Sequence, residues 1–333
     1  MHLNNTLSKK ILAWYDNSKR NLPWRVSKKS PKKLYYRLLS EFMLQQTQVK
    51  TVIPYFKKFT KKYKSLESFS RINENQILKL WEGLGYYRRA RNLLTSSKIL
   101  VKKYNSTLPD TLEEIKKLPG VGDYTANALL GFIYNKPTIA VDGNVKRVFS
   151  RYLNKKESNI NFVKLISVNK KHLFITNRNS DFIEALMEFG ALICKPKDPK
   201  CSQCCLNKSC RYLKSSKKIK TSLKKKIKFM DYNIFCYLNK KQQIALTKKN
   251  EISFLKNFYL PLIKKNNNSI NNNWIFLKSY KKSISNLNLN INLYYKFSNK
   301  IPKSYNWYYL KNNKELITSF TKKIFSQVST LFQ

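Results

Sequence analysis

The stretch LPGVGDYTANALLGFIYNKPTIAVDGNVKRV, Leu118 to Val148, constrains this chain more than any other segment. It reads as a tight glycine turn that opens a helix, followed by an extended run that stops at an acidic residue, Asp142. The chain has only 7 glycines, all between Gly83 and Gly190. Two of them at Gly120 and Gly122 mark a backbone that must bend or approach something closely. A turn of this kind leaves N–H groups unpaired at a helix N-terminus, and such groups suit an anion, a phosphate above all.

Charge points the same way. Across 333 residues, 66 Lys+Arg against 18 Asp+Glu give a formal net charge of +48. Polyanions are the natural partners, with nucleic acid ahead of acidic membranes because no apolar span or basic amphipathic anchor stands out. A compositional drift towards Lys, Asn, Ile and Tyr can raise the charge without creating a site, so the excess supports nucleic-acid binding without identifying it. The N-terminal MHLNNTLSKKILAWYDNSKR lacks the apolar core of a signal peptide, and nothing later resembles a transmembrane helix. A soluble, cytoplasmic protein is expected. His2 and His172 are the only histidines, which leaves acid–base work to carboxylates.

Apolar residues recur at three- and four-residue spacings from about Lys9 to Tyr212, which predicts a helical body. Lys214 to Lys228 is a basic, serine-containing run that reads as a linker. Beyond it, Asn233–Leu238 and Gln243–Leu246 are short strand candidates. Leu287, Leu289, Ile291 and Leu293 alternate with asparagines as in a strand. Leu316 to Leu331 has helical spacing, and Lys264 to Asn273 reads as a low-complexity loop. The expected organisation is a helical body over 1–213, a linker over 214–228 and a small α/β domain over 229–333.

Five of the 6 cysteines lie between Cys194 and Cys210, after a predicted helix over Phe182 to Leu192. Four follow the pattern Cys194-x6-Cys201-x2-Cys204-x5-Cys210, with Cys205 as a bystander. In a reducing compartment such clustering reads as metal ligation. Four thiolates suit structural zinc or a [4Fe–4S] cluster, and donor chemistry alone does not choose.

The single Cys-x2-Cys knuckle with longer arms resembles the cluster loop of the endonuclease III superfamily of DNA glycosylases, and the resemblance extends further. Leu118-Pro-Gly-Val-Gly122 looks like that superfamily's helix-hairpin-helix, and Val141-Asp-Gly-Asn-Val-Lys-Arg-Val148 like the segment with its active-site aspartate. Leu22-Pro-Trp-Arg25, Ser40-Glu-Phe-Met-Leu-Gln-Gln-Thr-Gln-Val49 and Leu80-Trp-Glu-Gly-Leu-Gly-Tyr-Tyr87 resemble one branch, the adenine DNA glycosylases. The likeness covers about the first 212 residues.

The resemblance implies a mainly α, two-lobed glycosylase body with a [4Fe–4S] cluster on Cys194, Cys201, Cys204 and Cys210, followed by a Nudix-like α/β domain. It implies a monomer that removes adenine mispaired with 8-oxoguanine or guanine in double-stranded DNA. Breaking a purine N-glycosidic bond calls for a better leaving group and a stabilised oxocarbenium ion, hence two carboxylates in different protonation states. By resemblance, Glu41 protonates the base and Asp142 faces the sugar, while Asp also suits a helix N-cap. Gln46 and Tyr86 match wedges that fill the gap left by the extruded base. Arg25 and Glu184 match the base pocket, with Ile183 where many relatives have asparagine. Gly120, Val121 and Gly122 match the contact to the DNA backbone.

Bifunctional members carry a lysine where this chain has Tyr124, so hydrolysis without efficient strand cleavage is expected. The Phe-Ser-His type motif that reads 8-oxoguanine has Ile284-Ser285-Asn286 as its nearest match. Only Ser285 fits, which implies an eroded recognition domain. Two alternatives compete: a bifunctional glycosylase/lyase on oxidised pyrimidines, and a DNA-binding remnant without catalysis. The first wants lysine at position 124, and the second has no need of Glu41 and Asp142 together.

Overall fold

The computed structural model describes residues 3, 6–219, 228–250, 252, 255, 258–266, 273–284, 287–311 and 318–332. Two compact units emerge, one of residues 1–80 with 87–223, the other of 81–86 with 224–333. Among the described residues no helix is long and apolar enough to cross a membrane.

The first unit is helical, as the spacing predicts. One group of helices comprises α2 (Lys33–Leu44), α3 (Val49–Lys62), α4 (Leu66–Ser70), α6 (Arg88–Tyr104) and α7 (Leu112–Lys116). Its interior is aromatic. Phe56 meets Trp24 and Tyr36 edge-on, and Phe69 packs against Tyr35, Phe59 and Tyr63. A second group comprises α1 (Thr6–Ser18), α9 (Gly143–Leu153), α10 (Phe162–Val168), α11 (Lys170–Leu173), α12 (Asn179–Leu192) and α13 (Arg211–Lys214). There, Leu7, Ile11, Val145, Phe149, Phe182 and Phe189 share a core.

The helix α8 (Asp123–Tyr134) touches α2 on one side and α12 on the other, which ties the two groups together. The contact with α12 is close. A Cβ on Gly131 would stand 1.9 Å from Cδ1 of Ile183, so that glycine admits a fully buried isoleucine. The remaining helix, α5 (Glu74–Trp81), begins with Asn73 and Gln76 capping one another's backbone N–H groups.

The second unit is a mixed six-stranded sheet. Its strands are β1 (Lys228–Asn239), β2 (Gln243–Leu246), β3 (Leu262–Lys265), β4 (Ile275–Ile284), β5 (Leu287–Phe297) and β6 (Asn306–Tyr309). They run β4-β5-β1-β2-β6, with β3 also on β1. β1 and β5 are parallel, Ile234 opposite Leu293, and this pairing lies at the centre of the sheet. Tyr232, Ile234, Cys236 and Leu238 of β1 and Leu289, Ile291 and Leu293 of β5 face a core closed by Phe320, Ile324 and Val328 of α14 (Ser319–Val328).

Two boundaries and one strand differ from expectation. β1 starts at Lys228, inside the expected linker, and β3 takes Lys264 and Lys265 from the expected loop. β4 is a strand that the periodicity did not reveal, because its lysines and serines interrupt the apolar alternation. Ser285, Leu316 and Ile317 lie outside the described residues, as do 220–227 of the expected linker.

Candidate active site

The glycine turn joins α7 to α8. Gly120 has φ +80°, and a Cβ there would stand 2.7 Å from Nδ2 of Asn92 and 2.9 Å from Cε1 of Phe42. Conformation and space both demand glycine. Gly122 differs, with an extended backbone and nothing within 4 Å of a notional Cβ. It caps α8 without a side chain, so the first-turn N–H groups of that helix remain suited to an anion. Val121 is buried and anchors the turn, whose carbonyls take bonds from Ser96 (to Pro119) and Gln45 (to Gly120).

Glu41 lies on α2, 5% exposed, with no hydrogen-bond partner at Oε2. Burial pushes its carboxyl from the ordinary 4.5 up to about 7, against the pull of the Arg37 guanidinium and the Tyr124 hydroxyl; Asp142 and Glu184 raise it further. Asp142 is the N-cap of α9. Its Oδ1 accepts from the Val145 N–H at 2.7 Å and its Oδ2 from Asn144 Nδ2 at 2.7 Å. Burial raises this carboxyl too, while the cap bonds hold it down. Tyr124, on the first turn of α8, senses both carboxylates, and its hydroxyl approaches Sδ of Met187 at 3.7 Å. Three residues expected at the reaction centre from distant segments of the chain are thus brought together.

Arg25 and Glu184 also meet. Arg25 Nε is 2.6 Å from Glu184 Oε2, and its Nη2 is 3.2 Å from Glu188 Oε1. The Tyr15 hydroxyl donates to the same Oε2 of Glu184 at 2.5 Å, Arg37 Nη2 donates to Oε1, and Arg20 forks onto Glu188. Sequence reasoning missed Tyr15, Arg20 and Arg37. Buried arginine is rare enough to signal a partner, but burial is not visible in the sequence.

Gln46 and Tyr86 share an uncommon backbone. Their φ values are +56° and +48°, in the left-handed region that side chains seldom adopt, and both are exposed. Strain of this kind gathers at functional sites. The turn bearing Gln46 is held by Arg89, whose Nη1 donates to the carbonyls of Phe42, Met43 and Gln45.

The cysteine loop hangs on α9. Arg147 Nε donates to the Cys194 carbonyl at 2.8 Å, and its Nη2 reaches Asn144 Oδ1 and the Gly190 carbonyl, each at 2.7 Å. Arg151 bonds the Cys194 sulfur at 3.5 Å and the carbonyls of Lys195 and Pro196. Cys194, Cys201, Cys204, Cys205 and Cys210 are half-buried free thiols. Among the described residues no three His, Cys, Asp or Glu side chains are arranged to hold a metal ion, so the fit of this loop to a cluster rests on donor chemistry alone.

A glycine turn thus leads into one helix, an aspartate caps the next, and a buried glutamate lies beside them. The family profile described as "HhH-GPD superfamily base excision DNA repair protein" matches residues 39–163. The structure of a thermostable thymine-DNA glycosylase is similar, with TM-score 0.55 and 29% identity over 63% of this chain and 95% of that one. The adenine DNA glycosylase of Buchnera aphidicola subsp. Baizongia pistaciae is 38% identical over 322 residues, 91% of this chain and 90% of that protein. The human adenine DNA glycosylase is 37% identical over 208 residues, 60% of this chain and 38% of that protein. This chain belongs to the adenine DNA glycosylase family, enzymes of base excision repair that hydrolyse N-glycosidic bonds.

Proposed function

We propose that this enzyme binds double-stranded DNA and hydrolyses the N-glycosidic bond of adenine mispaired with 8-oxoguanine or guanine, without cleaving the strand. The observation that carries the reading is Glu41, a buried carboxyl with a pKa of about 7 beside Asp142. A general acid works best with a pKa near the working pH. The protonated Glu41 donates to N7 of adenine as the bond to C1′ breaks, and the electron pair leaves with the base. Asp142, held by its cap bonds, stabilises the positive charge on the sugar. Water then attacks C1′ and returns a proton to Glu41, leaving free adenine and an abasic site. Tyr124 lies where a lysine would form a Schiff base, and a phenol cannot form one.

Adenine must leave the stack for this chemistry. Gln46 and Tyr86, each on left-handed backbone, serve as the wedges. Gly120, Val121 and Gly122 present the backbone of the turn to a DNA phosphate. Arg25 and Glu184 line the base pocket as an ion pair.

Cys194, Cys201, Cys204 and Cys210 would hold a [4Fe–4S] cluster. Their soft thiols, close together in sequence, suit iron and sulfide, and Arg151 bonds the Cys194 sulfur. Held by these four residues, a cluster would serve to cross-link the loop. The second unit serves as an eroded Nudix-like reader of the opposite base, with Ser285 as its remaining motif residue and a reduced preference for 8-oxoguanine over guanine.

Single-turnover assays of adenine release opposite 8-oxoguanine, guanine and thymine test this. Glu41→Gln should abolish release while binding to mismatched DNA persists; normal excision by that variant would overturn the assignment.

A further inference from the structure

Arg37 stands one helical turn before Glu41 on α2, so both side chains project from the same face of the helix. Its side chain is only 8% exposed, and its guanidinium lies over the Phe132 ring at 4.5 Å. Nη2 donates to Oε1 of Glu184. The other oxygen of that carboxylate already accepts from Tyr15 and is ion-paired with Arg25. Glu184 can only accept hydrogen bonds, and Arg37 is the donor that engages its second oxygen. The same cation faces Glu41. The charged and titratable groups that act on Glu41 are Arg37 from its own helix, Tyr124 from α8, Asp142 from the start of α9 and Glu184 from α12. Arg37 is the cation of that set, opposing two carboxylates and burial.

We propose that Arg37 is a positioning residue for base release, which clamps Glu184 against Arg25 and places a fixed positive charge on Glu41 that limits the pH range over which Glu41 holds its proton. The proposal rests on Glu41 as the general acid. Arg37 is assigned a role through Glu184, which it bonds, and Glu41, whose charge it faces. Its two effects are separable, because a lysine keeps the charge but loses the planar fork that grips a carboxylate.

The test is the pH profile of single-turnover adenine release from pH 5.5 to 9 on a duplex with adenine opposite 8-oxoguanine. Arg37→Met should move the alkaline limb upward by about one pH unit, the typical influence of a neighbouring opposite charge. Arg37→Lys should leave the limb in place and lower the rate. A folded Arg37→Met variant with an unmoved limb, or one moved downward, overturns the proposal. Should Arg37→Met not fold, the double variant Arg37→Met/Glu184→Gln removes both members of the pair. Its limb should lie above that of Glu184→Gln alone, and coincidence of the two overturns the proposal equally. Glu41→Gln in parallel keeps the failures apart: if it releases adenine normally, the general-acid assignment is at fault, whereas an inactive Glu41→Gln beside an unmoved Arg37→Met limb rejects Arg37 alone.

Discussion

Replacing Glu41 by glutamine should stabilise the protein far more at alkaline pH than at acid pH. The folded state holds the Glu41 proton more tightly than the unfolded chain, since burial raises the carboxyl from 4.5 to about 7. Well below pH 4.5 both states are protonated and no ionisation cost arises. Between pH 4.5 and 7 the unfolded chain ionises freely while the folded protein does not, so stability falls by about 1.4 kcal/mol per pH unit. Above pH 7 the loss levels off at about 3 kcal/mol. Glutamine has nearly the same shape and no charge to bury, so the loss disappears. In a unit of this size it corresponds to a rise of about 6–12 °C in melting temperature at pH 8, against about 1–3 °C at pH 5. Melting curves of both proteins at the two pH values, at equal ionic strength, provide the measurement. The positive charge common to both cancels in the difference. An equal difference at pH 5 and pH 8 would refute a buried, protonated Glu41. The same variant should lose at least 10²-fold in adenine release, roughly what a general acid contributes, so stability and function oppose one another at this residue.

Three further perturbations follow from the geometry. Gly120→Ala forces a side chain onto a φ of +80° and against Asn92 and Phe42; a loss of about 1–3 kcal/mol should appear in urea midpoints, with Gly122→Ala within about 0.5 kcal/mol of wild type. Tyr124→Lys places an amine near Glu41 and Asp142, so borohydride should trap a protein–DNA adduct with the variant and not with the parent; trapping by the parent would contradict hydrolysis without strand cleavage. Arg151→Met removes the bonds to Cys194, Lys195 and Pro196, and with the proposed cluster on this loop the purified variant should retain less iron than wild type with unchanged far-ultraviolet dichroism. Equal iron content would show that α9 does not secure the loop.

What the sequence alone determined is what short-range geometry controls. The hairpin turn was legible because a left-handed residue in a glycine-poor chain has few solutions, and Gly120 adopts one of them. Asp142 was legible as a cap because its bonds run only two and three residues ahead. The helical body and the strand Leu287–Phe297 follow from periodicity, which one face of a core imposes on neighbouring residues. The tertiary structure decided what depends on distant partners. Tyr15 and Arg37 reach Glu184 across 169 and 147 residues, and nothing local marks an arginine as buried. β4 has too little apolar alternation to reveal itself and is set by its pairing with β5, while β5 lies parallel to β1 across a long connection. The raised carboxyl of Glu41 belongs to the same class. Its residue type and helix are local, but burial and four neighbours from three helices and a cap set its proton affinity, and only folding brings them together.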